Sequence, residues 1–528
     1  MTQHSQSPRH LIFVESYVKL ELTSTMSIFD TLIISPWATT LVVGTGAILS
    51  LCIYRIIFHP LSHISGPLLP KTTSLWLYYH SYIGDEATVI NQLHKKYGPL
   101  VRIAPNEVDI NDADAISQIY VLRGGFPKAP CYANFDMGEH QTIFSTLDSD
   151  YRSPRAKAVM PLFSTKNIRE NEAALYGCVD RMVNRTLDEA KTGQPVNILN
   201  LTRSLALDAV TTHLFGENYN GISEKGNELS ASAFVDAFVS VGRLFYMPKI
   251  IFIWLEWFVE KVVPDVNTKE SMEIVDRYVD NLVERTKEKA RNYPGRLLDI
   301  GVTHAEVKVQ CKDLMFAGTD STGANLARIC QELSRNTKMY RQKSFSMRIM
   351  LILSNRYKRL RAEILSNSTS VSGRVDIQAL PYLSGVVKEG LRISMANPTR
   401  LPRLVPSSGW TFKDINISPG SIVGCSAYEL HFNPIVFPDP ETFRPERWLE
   451  GSVTPEMLKH SFGFGAGSRA CIARNLATTE LYMATEKLAE SGVLLGARPC
   501  QDKIEIYEWF NSSVKQEKIE LVWEQGTR

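Results

Sequence analysis

One stretch narrows the folds open to this chain more than any other. Residues 462 to 475 read FGFGAGSRACIARN, a glycine-rich bend that carries an arginine and one cysteine and runs into the helix-patterned IARNLATTELYMATEKLAE. Gly463, Gly465 and Gly467 let the backbone turn tightly and approach a flat ligand with no Cβ in the way. A helix start places N–H groups and the positive end of a dipole beside Cys471, which favours a thiolate. Such a thiolate can ligate iron or act as a nucleophile. A cysteine hydrolase would also want a histidine, and the nearest along the chain, His460, precedes the bend. Arg469, two residues ahead of the cysteine, is suited to holding a carboxylate with both arms of its fork.

The chain has 528 residues, 44% hydrophobic and 22% charged, enough apolar material for a large core and too little net charge for disorder. No Gly/Ser-rich linker or internal repeat divides it beyond residue 70, so one catalytic-sized domain is expected. A net charge of +2 from mixed acids and bases leaves no footprint for nucleic acid. The 8 cysteines have no CxxC spacing, which argues for reduced thiols rather than a zinc ribbon or a disulfide framework.

From Thr31 to Tyr54, TLIISPWATTLVVGTGAILSLCIY carries no charge and is long enough to span a bilayer core. It is too long for a signal-peptide core, and no small-residue cleavage site follows. The expected organisation is an N-terminal extension (1–30), a transmembrane anchor (31–54), a Pro/Gly hinge (55–70) and a catalytic domain (71–528). Arg55 and Lys71 behind the apolar run favour a cytosolic catalytic domain.

Along the globular part, LVRI and VDI near residue 100 read as strands, and residues 165–290 carry mainly helical periodicity, as in EIVDRYVDNLVERTKEKARN. Strands return in GWTFKDINISPGSIVGCSA, with Pro419-Gly420 as the turn, and in KIEIYEW and KIELVW near the C-terminus. The sum is a mainly α domain with small peripheral β-sheets.

Phe464, Gly467, Arg469 and Cys471 match in order and spacing the haem-binding loop Phe-x-x-Gly-x-Arg-x-Cys-x-Gly of cytochrome P450 monooxygenases, with Ala473 in place of the last glycine. Three further segments are similar to the same family. In KEGLR, Glu389 and Arg392 stand one helical turn apart, which alone reads as a surface ion pair; they resemble the Glu-x-x-Arg signature, with Arg447 of FRPERW as its third member. NPTRLPRLVP resembles the haem-flanking strand and makes Arg403 a propionate contact. FAGTDST, otherwise a helix kink or an N-cap, resembles the oxygen-binding groove of the long central helix through Ala317, Gly318, Asp320 and Thr322, with Ser321 where threonine is commoner. DYRSPRAKAVMPLFS reads either as a solvated basic turn or, although the usual aromatic-histidine-arginine details are blurred, as similar to the helix that offers basic residues to haem propionates, here Arg152 and Arg155.

The resemblance implies the cytochrome P450 fold preceded by one transmembrane helix, haem b with Cys471 as axial iron ligand, and Asp320, Ser321 and Thr322 as the proton-delivering group. It implies insertion of one oxygen atom from O2 into an apolar small molecule, as in terpenoid, polyketide or indole-derived secondary metabolism. The alternatives are an aromatic or xenobiotic hydroxylase of the benzoate type, or a haem-thiolate isomerase or dehydratase that needs no reductase. No GxGxxG fingerprint accompanies the domain, so electrons from NADPH would arrive through a separate cytochrome P450 reductase, at the endoplasmic reticulum membrane. The insert KSFSMRIMLILSNR (343–356) interrupts the family pattern and reads as a longer helix, a second membrane contact or, the favoured reading, translated non-coding sequence.

Overall fold

The computed structural model describes residues 36–226, 228–262, 265–287, 290–335, 356–368 and 376–524. The N-terminal extension and all but the last residue of the 343–356 insert lie outside the described residues. The chain divides into two units, after His63. In the first, α1 (Pro36–Ile53) continues through a wider turn over Tyr54–Phe58, and Trp37–Phe58 is a helical run of 22 residues with mean hydropathy 2.0, apolar and long enough to cross a membrane. It reaches four residues past the expected end at Tyr54 because Arg55 does not stop it. A long basic side chain near a helix end can extend its charge along the helix toward water.

The second unit, Ile64–Arg528, begins with α2 (Leu75–Ile83) and α3 (Glu86–Tyr97). Its helical body follows as α4 (Ser149–Val159), α5 (Glu172–Ala190), α6 (Ile198–Val210), α7 (Ser232–Val241), α8 (Lys249–Val262), α9 (Val266–Arg285), α10 (Tyr293–Leu298) and α11 (His304–Ser334). After α12 (Arg356–Ser368) come α13 (Pro381–Ile393) and α14 (Arg474–Ser491). Local chemistry sets several ends. Thr303 and Glu306 form the T-x-x-E start of α11, with Thr303 Oγ1 accepting from Glu306 N at 3.3 Å, and Gly492 closes α14 with φ 72°.

Every residue of α6 is buried, polar ones included, so it runs through the interior, and it packs along α11. Two glycines of α11 permit the approach. A Cβ on Gly318 would come within 2.6 Å of Val210, and one on Gly323 within 2.7 Å of Arg203. The polar, glycine-bearing middle of α11 therefore does not break this 31-residue helix; it is where α6 crosses it closely.

The strands form a four-stranded sheet in the order β1 (Leu100–Ala104), β2 (Glu107–Ile110), β7 (Ile422–Gly424), β4 (Arg403–Leu404), with β2 and β7 parallel and Val108 opposite Val423. Smaller sheets pair β3 (Val196–Asn197), β11 (Glu520–Trp523) and β8 (Ala497–Pro499), then β5 (Trp410–Phe412) with β6 (Ile415–Ile417), and β9 (Ile506–Tyr507) with β10 (Ser513–Val514). Pro419-Gly420 is a turn between two short runs as expected, carrying the chain from β6 into β7 with Gly420 at φ 74°. A further turn at Lys413 and Asp414, both at positive φ (47° and 67°), splits the first run into the β5–β6 hairpin. Lys-Asp lacks the glycine that usually marks such a turn, so the sequence did not show it. The fold class is as expected, mainly helical with small sheets.

Candidate active site

A cavity of ≈ 280 Å³ lies between the middle of α11 and the Cys471 loop. The loop is built by close contact. Gly467, at φ 71°, lies so near Tyr120 that a Cβ there would sit 1.7 Å from the Tyr120 carbonyl oxygen. Tyr120 is also a hub: its hydroxyl donates to the Leu401 carbonyl at 2.8 Å, accepts from Cys425 N at 2.8 Å, and its ring packs on Phe462. Cys471 N donates to Phe464 O at 2.9 Å, closing the bend. Ala473, where the family pattern has glycine, has φ −89° and ψ 9°, an ordinary right-handed conformation that asks for no glycine.

Cys471 is exposed, and the space it borders is the cavity. Enclosure pushes its thiol pKa up, while the Ala473 N–H and the Arg474 charge at the start of α14 pull it down. The helix start therefore assists a thiolate, and burial opposes it more strongly.

Basic side chains from separate segments gather at the cavity: Lys128, Arg152 and Arg469 line it, and Arg403 sits behind on β4, its backbone paired with Lys128. Burial depresses Lys128, Arg152 and Arg469, and repulsion from neighbouring cations adds to it at Lys128 and Arg469. The Lys128 ammonium is held well below its usual range by burial, then by Arg403, Arg469 and Arg152, and Arg469 is brought down to about 10 by burial, then by Arg152 and Arg403. Their bonds go to neutral groups: Lys128 to Phe144 O, Arg469 to Thr146 O at 3.1 Å, and Arg403 to Tyr132 OH at 3.1 Å. Arg152 Nε is buried with no partner among the described residues. Unpaired buried cations are costly, and the arrangement fits a ligand that brings carboxylates to them. Arg155 is not part of it; Glu306 holds it at 2.5 Å.

Facing the loop, Ala317, Gly318, Ser321 and Thr322 of α11 line the cavity. Ser321 Oγ donates to Ala317 O at 3.1 Å, and Asn325 Nδ2 donates to Ser321 O at 2.7 Å. Asp320 is not with them. It is buried against α6, where its carboxylate accepts from Arg203 Nη2 at 2.5 Å, and Arg203 Nη1 lies 3.0 Å from Asp236 on α7. The physical reason for this departure from expectation is the helical rotation between neighbours, which turns residue 320 away when residue 321 faces in. Phe464 and Gly465 line the cavity beside Cys471.

Glu389, Arg392 and Arg447 meet in the interior under the loop, as expected. Arg392 donates to both Glu389 oxygens at 2.9 and 2.8 Å, Arg447 Nε to Oε1 at 3.1 Å, and Trp448 Nε1 to Oε2 at 2.9 Å. Burial pushes the Glu389 carboxyl up, and the Arg392 guanidinium outweighs it, so the acid stays below its usual range. His431, which sequence reasoning passed over, joins this cluster to the loop. Its Nδ1 lies 3.1 Å from Arg392 O and its Nε2 3.0 Å from Phe462 N. A carbonyl only accepts and an N–H only donates, so the ring is neutral with its proton on Nδ1. Burial and the adjacent Arg392 bring its pKa down to about 3, in agreement.

Two acids on the cavity wall were also missed. Glu480 of α14 has a buried Oε1 without a partner, and burial holds its carboxyl well above the usual range. Asp313 lies on α11 two turns before Ser321. The helical spacing 313, 317, 321 was the available signal for Asp313, whereas Lys128 and His431 had no local pattern to betray them.

Against known proteins, the family model described as Cytochrome P450 matches residues 67–488. A cytochrome P450 monooxygenase (mfmF) of Annulohypoxylon moriforme is 38% identical over 516 residues, covering 92% of this chain and 100% of that protein. The conidiogenone synthase of Penicillium rubens is 28% identical over 83% of this chain and 88% of its own. The fusicoccadiene C-8 hydroxylase of Alternaria brassicicola is 28% identical over 82% and 85%.

Proposed function

Since this chain belongs to the cytochrome P450 family and is a monooxygenase, we propose that Cys471 is its iron ligand and that it oxidises an apolar product of secondary metabolism. The observation that carries the assignment is the meeting, around one cavity, of Cys471, unpaired buried cations and the Ser321–Thr322 face of α11. Bound haem, held by a thiolate, supplies the oxygen-activating chemistry. Lys128, Arg152 and Arg469 would hold its propionates, with Arg403 supporting from behind. Phe464 and Gly467 shape the loop that presents the sulfur, and the Glu389–Arg392–Arg447 cluster with His431 holds that loop from beneath.

The Ser321 and Thr322 hydroxyls are the groups placed to hold and pass a proton into the cavity. Asp320 acts through Arg203 as a positioning residue. The apolar walls exclude water and bind the substrate body. Two relatives named for a hydroxylation and a synthase step favour this reading over a benzoate-type hydroxylase and over a reductase-independent isomerase or dehydratase.

Electrons would come from NADPH through a separate reductase at the endoplasmic reticulum membrane, with the catalytic unit on the cytosolic side. Support comes from the apolar helix Trp37–Phe58 and from the exposed Ile250, Trp254 and Trp257 of α8. The test is made on microsomes from an expressing fungal strain. A strongly red-shifted Soret band after reduction under carbon monoxide, and product that requires both NADPH and reductase, are expected from the intact chain and from neither measurement on Cys471→Ala. A band that survives the substitution removes the iron-ligand assignment; product without reductase removes the electron route.

A further inference from the structure

The cavity wall carries an acid near the cradle's Lys128 to which neither the cradle nor the proton route gives a hydrogen bond. Asp313 sits on the α11 stripe that includes Leu314, Ala317, Gly318 and Ser321, all facing the cavity. Eight residues of helix set its Cα about 12 Å from that of Ser321 along the axis. Around it the wall is apolar, with Ile143, Phe144 and Phe316. Asp313 is partly exposed although the protein encloses it on every side, so its open surface is the cavity itself.

Burial pushes the carboxyl's pKa up to about 6, against the pull of the nearby Thr142 hydroxyl and the Lys128 ammonium. Lys128 spends its own bond on Phe144 O and lies over the Tyr132 and Phe144 rings at 4.0 and 4.1 Å. A carboxylate has room for about four hydrogen bonds, and one hydroxyl leaves most of them open. Nor is Asp313 needed to hold the loop beside it. Gln310 accepts from Ile143 N at 3.0 Å and donates to Gln141 O at 3.0 Å, and Ser145 Oγ accepts from Thr142 N at 2.9 Å and donates to Asp136 at 2.6 Å. A buried acid with open acceptor sites on an apolar wall is costly unless something donates to it.

We propose that Asp313 determines substrate specificity: its carboxylate accepts a hydrogen bond from a hydroxyl or N–H of the substrate, anchoring an otherwise apolar molecule two helical turns from Ser321. The substrate class is therefore an apolar skeleton that already carries one donor, which requires an earlier hydroxylation, cyclisation or aminating step to have installed it. This rests on the reading of the cavity as the substrate site.

The test uses the full-length holoenzyme in detergent and measures binding by calorimetry, so that it does not depend on turnover. The probes are pairs that differ only in the donor: farnesol and its methyl ether, 1-naphthol and 1-methoxynaphthalene, indole and 1-methylindole. On at least one skeleton the donor-bearing member is expected to bind about tenfold or more tightly, the range of one hydrogen bond to a charged group. Asp313→Leu should abolish that preference and Asp313→Asn should reduce it. No preference for the donor in any pair, or a preference unchanged in Asp313→Leu, overturns the proposal. If the leucine variant does not fold, an unchanged preference in Asp313→Asn does so. The carbon monoxide band of the same preparations reports separately on the haem-thiolate reading.

Discussion

Ser321 and Asp320 are adjacent in the chain and do different work. The Ser321 hydroxyl opens on the cavity, whereas the Asp320 carboxylate is committed to Arg203 at 2.5 Å in the α6–α11 interface. Ser321→Ala should fold and bind haem normally yet lower the product formed per O2 consumed, by about tenfold or more, because proton transfer by a positioned group contributes on the order of 10²-fold or more. Asp320→Asn should act first on stability. It leaves buried Arg203 with Asp236 as its remaining ion-pair partner among the described residues, a change costing roughly 3 kcal/mol. Thermal unfolding and oxygen-to-product stoichiometry of the two variants separate the roles. An unchanged melting temperature for Asp320→Asn together with Ser321-like uncoupling would place the carboxylate's action in the cavity.

At the scale of elements, the Cys471 loop is set by what it touches rather than by its glycine content. Gly467 is irreplaceable by geometry, since any Cβ would collide with the Tyr120 carbonyl and the backbone is at φ 71°. Ala473 needs nothing special, with φ −89°. Gly467→Ala should therefore lose haem retention and the carbon monoxide band. Ala473→Gly, which restores the family pattern, should confer no gain and cost about 0.5–1 kcal/mol through the flexibility of the unfolded chain. Urea unfolding of both, followed by haem absorbance, checks this, and a more stable Ala473→Gly would show that the alanine is strained. The spacing of Phe464, Gly467, Arg469 and Cys471 made the loop legible in the sequence. Its support was only half legible, because Arg447 lies in a recognisable segment while His431 and Tyr120 reach it from elements with no pattern of their own.

Across the whole molecule, stability carries a pH signature from buried acids that do not line the cavity. Glu429 is pushed up to about 7 by burial despite His94, and Glu86 up to about 8 by burial despite Arg400. Between the usual 4.5 and those values the native state keeps protons that the unfolded chain releases, so stability falls as pH rises through that window and levels off above it. Raising the pH from about 5 to about 7 should lower the melting temperature, and Glu429→Gln should flatten the slope by up to an order of 3 kcal/mol. A slope identical in the variant would show that Glu429 is already ionised in the native state.

By itself the sequence determined the apolar span, the helical character of the body and the cysteine loop, because each is written in local spacing: an uncharged run, a 3.6-residue period, a motif ten residues long. It also marked Glu389, Arg392 and Arg447 as partners, although their contact crosses from α13 to residues 445–448. Only the tertiary structure decided which neighbours face the cavity. One step along α11 sends Asp320 to Arg203 and Ser321 to the site, and the choice belongs to how α6 packs on α11 through Gly318 and Gly323. Likewise Lys128, Arg152, Arg403 and Arg469 are unremarkable bases in four separate segments until packing brings them together, with no ion pair of their own among the described residues. Periodicity is a local property that a sequence carries openly, whereas convergence of distant side chains exists only once helices and strands have buried their apolar faces against one another.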